Sequence, residues 1–241
     1  MKKIICKDYA EMSKRAADII AEQIRSKPGT VLGLATGSTP IGTYEELRRM
    51  HEQGQLDFSE VITFNLDEYY PIKRDNPQSY CYFMNENLFQ YVNVPKENIN
   101  IQNGEASDPE KECVAYSKKL ADLGGTDLQL LGIGRNGHIG FNEPAEVLPL
   151  ATHMTNLTED TIEANARFFE KKEDVPTEAL TMGMGDIISS KKIVLLISGK
   201  GKAEIAKEVF SGSVSTMLPA SLLNFHHDLT VILDEEAAAL L

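Results

Sequence analysis

Disulfide chemistry is the first thing this sequence lacks. Its 241 residues hold three cysteines, Cys6, Cys81 and Cys113, an odd number, widely spaced and outside any CxxC motif. That pattern excludes a disulfide framework and fits reduced thiols in a cytosolic protein. Basic residues are also in short supply: 24 Lys and Arg against 36 Asp and Glu leave a net charge of −12. Nucleic acid and anionic membrane surfaces both require positive patches, so neither is an expected partner. Long apolar runs are missing too. Nothing approaches the roughly 20 residues of a membrane helix, and the N-terminal MKKIICKDYAEM has too short an apolar run for a signal peptide. The expectation is a soluble, cytoplasmic protein without internal repeats or low-complexity segments.

What remains is ordinary globular composition, 42% apolar and 25% charged, enough for a sizeable core. The length suits one α/β domain spanning residues 1–241. Short apolar runs alternate with longer amphipathic stretches. The runs are VLGLA (31–35), VITFNL (61–66), LQLLGIG (128–134), IVLLIS (193–198) and LTVILD (229–234). Apolar runs without polar alternation fit strands buried on both faces of a parallel sheet. Helical patterns are predicted over 8–25, 41–52, 78–91, 109–123, 158–168, 178–189 and 202–211, with start signals such as Pro40 after Thr39 and Asp108-Pro109. Strand and helix in alternation imply βαβ units and a doubly wound, mainly parallel sheet with helices on both faces.

In such sheets ligands occupy the crevice beyond the carboxyl ends of the strands. Four polar or glycine-rich loops follow predicted strands on that edge: ATGSTP, DEYYP, GRNGHIGFNEP and SGKGKA. ATGSTP, with Gly37, Ser38 and Thr39, sets backbone and hydroxyl donors at a helix start, an arrangement suited to an anion. A capped turn with Ser38 or Thr39 as N-cap explains it equally well. No GK[ST] follows, so a nucleoside triphosphate is unsupported. In SGKGKA, Lys200 and Lys202 stand where the helix dipole disfavours cations; either an anion sits there or both are solvated. Asp67 and Glu68 end a buried run, and one of the two is expected to be a proton acceptor, the other structural. His138 is the one histidine on this edge, and Glu143, five residues on, is placed to orient its ring. Gly134, Gly137 and Gly140 allow a ligand close to the backbone. The spacing is not HExxH, which argues against a zinc site. The residues thus describe proton-transfer chemistry on a small anionic metabolite.

LGLATGSTP, FNLDEY, GIGRNGHIGFNEP, NARFF and ALTMGMG closely resemble, in order and over essentially the whole chain, the glucosamine-6-phosphate deaminase (isomerase) family. The resemblance implies a Rossmann-like fold shared with ribose-5-phosphate isomerase and 6-phosphogluconolactonase. It implies conversion of D-glucosamine 6-phosphate and water to D-fructose 6-phosphate and ammonia, without a cofactor. By motif, Asp67 matches the base that shuttles a proton from C2 to C1 through an enolamine, and His138 the group that opens the sugar ring. Glu143 and Asn136 match its helpers. Gly37, Ser38, Thr39, Arg167 and Lys202 match the phosphate ligands, whereas Lys200 has no counterpart and is expected at the surface. Residues 150–182 resemble an active-site lid. Many members carry Asp where this chain has Asn136. The residues after NEP that serve activation by N-acetylglucosamine 6-phosphate in longer, hexameric members are here Glu146, His153, Thr155 and Asn156. No such allosteric site is expected, and the short chain suggests a monomer or small homo-oligomer.

Overall fold

A computed structural model describes residues 1–166, 169 and 171–241; of Asp160, Ala164, Asn165 and Lys172 only the backbone is described. Among the described residues ten strands form: β1 (Lys2–Cys6), β2 (Val31–Leu34), β3 (Ile62–Asn65), β4 (Asp67–Tyr70), β5 (Ile99–Asn100), β6 (Leu128–Leu131), β7 (His153–Asn156), β8 (Glu178–Thr181), β9 (Ile193–Ile197) and β10 (Leu229–Asp234). The α-helices among the described residues are α1 (Tyr9–Ser26), α2 (Ile41–Glu52), α3 (Tyr80–Asn87), α4 (Pro109–Asp122), α5 (Glu159–Asn165), α6 (Met184–Ile188) and α7 (Ala203–Val209).

Seven strands make an all-parallel sheet in the order β1-β10-β9-β6-β2-β3-β5. From β2 the chain winds outward through β3 to β5, then returns to β6 on the other side of β2 and winds out through β9 and β10. The topological switch point therefore lies between β2 and β6, which pair through Leu32↔Leu128 and Gly33↔Gln129. The apolar runs explain why the sheet is buried on both faces. Successive strand residues face opposite sides, and each side is covered. Leu32, Leu34, Leu128, Leu130, Val194 and Ile232 pack with Met12, Ile20, Tyr44, Leu47 and Met84 of α1, α2 and α3. Their neighbours Val31, Leu131, Leu195 and Val231 pack with Tyr116, Leu120, Ile187, Ile205 and Val209 of α4, α6 and α7. Caps set the helix starts: Asp8 accepts from the Glu11 amide and Asp108 from the Lys111 amide, the latter with Pro109 in the first turn.

Two expectations change. Asp67 and Glu68 do not end the strand that precedes them. They open β4, which pairs antiparallel with β8, itself paired with β7, in a separate three-stranded sheet. The predicted helix over 178–189 is accordingly a strand followed by a short helix. Gly183 and Gly185 press against the backbone of Leu150 and Ala151, so closely that a Cβ on either would come within 3 Å. This small sheet carries a third apolar cluster of Tyr69, Ile72, Phe141, Leu157 and Ala179, with Ile162 of α5 packed on it.

Candidate active site

The loops at the carboxyl ends of β2 and β6 meet at the switch point. Leaving β2, the chain turns at Gly37 with φ +87°, a left-handed conformation natural to glycine. Three tethers fix this turn: the Tyr44 hydroxyl donates to the Ala35 carbonyl at 2.5 Å, the Tyr9 hydroxyl to the Ser38 carbonyl at 3.1 Å, and the Gly42 amide to the Tyr9 oxygen at 2.9 Å. The residue at the cap position of α2 is Pro40, and no side chain caps the helix. Ser38 and Thr39 are thus not N-caps, which removes the turn-capping explanation for their hydroxyls. A Cβ built on Gly37, Gly199 or Gly201 would meet nothing within 4 Å, so both glycine loops border open space.

The SGKGKA loop is held from β10. Asp234 accepts from the Gly199 amide through both oxygens, at 2.9 and 3.0 Å, from the Ala237 amide at 2.8 Å and from the Ser198 hydroxyl. Beyond it, Lys202 donates from Nζ to the Ile133 carbonyl at 2.7 Å, so its ammonium bridges to the loop that follows β6. Lys200 is exposed, as expected. Arg167 lies outside the described residues.

Asp67 and Glu68 are both buried, and their surroundings separate them. Glu68 accepts from the amides of Tyr69, Tyr80 and Cys81 at 2.8–2.9 Å, which closes the start of α3. Burial raises its carboxyl to about 7, with those amides opposing the rise. Asp67 is 6% exposed and its Oδ1 has no hydrogen-bond partner. Burial, then the neighbouring Glu68 charge, push it up to about 8 against a lowering contact from Thr36. A buried carboxyl with a free oxygen and an elevated pKa has the features of a proton acceptor. Glu68 has the features of a scaffold.

His138 sits on the turn after β6, and Glu143 closes that turn. The imidazole Nδ1 lies 3.3 Å from Glu143 Oε2, close enough for an ion pair but out of line for a hydrogen bond. Asn136 Nδ2 donates to the same Oε2 at 2.7 Å, and its Oδ1 accepts from the His138 amide at 3.2 Å. Through these two bonds Asn136 orders the loop backbone and Glu143. Thr161, from α5, donates from its hydroxyl to Glu143 Oε1. Burial works against ionisation of Glu143, but His138, Thr161 and Asn136 outweigh it and hold the carboxyl down at about 2. Asn142 Nδ2 staples the turn by donating to the Ile139 and Met182 carbonyls, each at 2.8 Å.

The glycines of this loop have a steric reason that the sequence did not disclose. A Cβ on Gly134 would fall 2.4 Å from three atoms of the His138 ring. Gly137 makes room for Leu218 and Gly140 for the Thr181 hydroxyl, each with positive φ. At all three positions the missing Cβ leaves room for a neighbouring side chain. Sequence reasoning missed Thr36, Thr161 and Asn142. Thr161 follows Thr158, the N-cap of α5, and in LTEDT it reads as part of a helix start. A separate surface cavity of about 440 Å³, lined by Pro71, Lys73, Asn76 and Glu105 among others, contains none of the expected site residues. Among the described residues no group of three or more His, Cys, Asp or Glu side chains is arranged to hold a metal ion, and no helix is long and apolar enough to cross a membrane.

Residues 7–232 match the family described as glucosamine-6-phosphate isomerases/6-phosphogluconolactonase. A glucosamine-6-phosphate deaminase of Thermoanaerobacter sp. (strain X514) is 56% identical over all 241 residues, covering 95% of that protein. One from Clostridium perfringens (strain 13 / Type A) is 54% identical over the full length of both chains. The solved structure of a monomeric glucosamine-6-phosphate deaminase, 49% identical, superposes with a TM-score of 0.98 over 100% of both chains. A 6-phosphogluconolactonase from Trypanosoma cruzi, 23% identical, shares the fold with a TM-score of 0.79 over 99% of this chain and 96% of that one. The chain therefore belongs to the glucosamine-6-phosphate isomerase/6-phosphogluconolactonase family.

Proposed function

We propose that this chain converts D-glucosamine 6-phosphate and water to D-fructose 6-phosphate and ammonia. The observation that carries the reading is the presence, beyond the carboxyl ends of β3 and β6, of the buried, high-pKa carboxyl of Asp67 and of the His138–Glu143 pair. Two separable proton transfers are what this reaction needs. His138 takes the proton of the anomeric hydroxyl and returns it to the ring oxygen, opening the ring, while Glu143 and Asn136 hold the loop. Asp67 removes the C2 proton as a proton passes from the substrate nitrogen to the C1 oxygen, giving an enolamine, and then delivers its proton to C1. The resulting C2 imine takes up water and releases ammonia, leaving the ketose. The phosphate lies on the loop of Gly37, Ser38 and Thr39 with Lys202, and Arg167 completes it.

No cofactor takes part in this reading. Within 150–182, β8 pairs with β4 and β7 with β8, and the part that acts as a lid in this reading is the stretch between β7 and β8, with Arg167 in it. The protein works as a monomer in the cytoplasm, and N-acetylglucosamine 6-phosphate does not activate it: velocity is hyperbolic in substrate with or without that ligand.

The test is release of ammonia and fructose 6-phosphate from glucosamine 6-phosphate, with chelator present and no nucleotide. Equal amounts of both products are expected. Absence of turnover across the amino-sugar phosphates, with hydrolysis of a sugar-phosphate lactone instead, would overturn the reading.

A further inference from the structure

We propose that Thr161 is a positioning residue: its hydroxyl fixes Glu143 for its contact with His138, and thereby ties the stretch between β7 and β8 to the ring-opening pair. The inference rests on the deaminase reading and adds to it a residue outside the loop motif.

A glutamate's terminal torsion is broad, so Glu143 alone does not fix the plane of its carboxylate beside the imidazole. Here both oxygens are assigned. Oε2 takes the Asn136 amide and faces His138 Nδ1, while Oε1 takes the Thr161 hydroxyl. The donor is itself oriented. Thr158 donates from Oγ1 to Thr161 Oγ1 at 3.2 Å, which leaves the Thr161 proton for the carboxylate. The Thr161 amide returns to Thr158 Oγ1 at 3.3 Å. Thr161 is 4% exposed and Glu143 8%, so water is a poor substitute for either contact.

The two anchors of Glu143 come from different parts of the chain. Asn136 belongs to the loop after β6, Thr161 to the helix between β7 and β8. Displacing α5 frees Oε1 and returns rotational freedom to the carboxylate beside His138. Helix α5 keeps an apolar anchor of its own, since the adjacent Ile162 packs on the Tyr69–Phe141–Leu157 cluster. Removing one hydroxyl therefore tests the contact and not the helix.

The experiment is a double-mutant cycle on glucosamine 6-phosphate turnover. Thr161→Val keeps the shape and deletes the hydroxyl; Thr161→Ser keeps the hydroxyl; each is made in the wild-type and Glu143→Gln backgrounds. A hydrogen bond to a charged group predicts a loss in kcat of about tenfold or more for Thr161→Val. Thr161→Ser is expected to recover most of it, and in the Glu143→Gln background Thr161→Val is expected to cost little further. Wild-type kcat in Thr161→Val overturns the proposal. So does an equal loss in the Glu143→Gln background, or a serine variant no better than the valine one. If Thr161→Val does not fold by circular dichroism, Thr161→Ala is read in the same cycle. Failure of the wild-type protein to turn over the substrate would count instead against the deaminase reading.

Discussion

The imidazole of His138 lies against Gly134, where a Cβ would come within 2.4 Å of three ring atoms. No side chain other than hydrogen leaves the ring in place, because the contact is with Cδ2, Cε1 and Nδ1 together and only a movement of the whole ring relieves it. Gly134→Ala is therefore expected to tilt His138 away from Glu143 and lower kcat about tenfold or more, since small misplacements of reacting groups are costly. Calorimetric binding of a phosphorylated, unreactive analogue is expected to stay close to wild type, because the phosphate loops are untouched. An unchanged kcat would show that the ring position is not what Gly134 secures.

Asp67 makes a prediction in which activity and stability move oppositely. Its carboxyl is raised to about 8 from 3.8, first by burial and then by Glu68. Between those values the folded protein keeps the proton that the unfolded chain gives up. The unfolded state then binds fewer protons, so stability falls as pH rises from about 4 to about 8 and levels off above. Each unit of such a shift corresponds to about 1.4 kcal/mol. Asp67→Asn has no proton to lose. It is expected to unfold at a higher temperature than wild type at pH 8, with the difference shrinking toward pH 4, while turnover falls about a hundredfold or more. A calorimetric series across that range, with an ammonia assay alongside, checks both. Near-normal turnover would remove Asp67 from the proton-transfer step.

Much of this architecture was legible because burial on two faces writes itself into uninterrupted apolar runs. All five runs became strands of the parallel sheet, and 229–234 did so without a change of boundary. Strands β1 and β5 escaped notice: KKIIC is a half-exposed edge strand and IN is two residues long. The small sheet was hidden for a different reason. Residues DEYY, HMTN and EALT find partners far along the chain, and pairing of that kind leaves no local period. The choice between Asp67 and Glu68 was illegible on the same ground. It depends on the amides of Tyr80 and Cys81, twelve and thirteen residues downstream, reaching Glu68. Likewise the glycines of the histidine loop could be recognised as required, but not that they admit His138, Leu218 and Thr181.

Asn136 stands where many members of the family have aspartate, and the geometry gives that difference a consequence. Its Nδ2 donates to Glu143 Oε2 at 2.7 Å. An aspartate there would set two carboxylates in contact, and ionisation of one then opposes ionisation of the other. Asn136→Asp is therefore expected to trap a proton between the two residues and raise one of their pKa values well above the value of about 2 that Glu143 has now. The acid limb of kcat should move to higher pH, with KM for the sugar phosphate unchanged. Identical pH profiles for the two proteins would mean that the pair separates.

Substrate affinity is expected to depend on Asp234, a residue that carries no positive charge and lies at the end of β10. Its carboxylate accepts from the Gly199 amide, the Ala237 amide and the Ser198 hydroxyl, at a glycine with φ +87°. Those contacts fix the path by which the loop delivers Lys202 to the Ile133 carbonyl. Asp234→Ala removes the acceptor from three donors at once, leaving the loop free to relax toward solvent. If Lys202 binds phosphate, that relaxation withdraws a cation from a group that keeps its charge from ground state to transition state. Uniform binding of this kind appears in KM and not in kcat. Lys202→Ala and Asp234→Ala are accordingly both expected to raise KM about tenfold or more while kcat falls by less. Added to each other, the two substitutions should give little more than the larger one, because both act through the same ammonium. Fully additive increases would place the effect of Asp234 elsewhere, and a loss confined to kcat would mean that Lys202 acts on the reacting carbons and not on the phosphate.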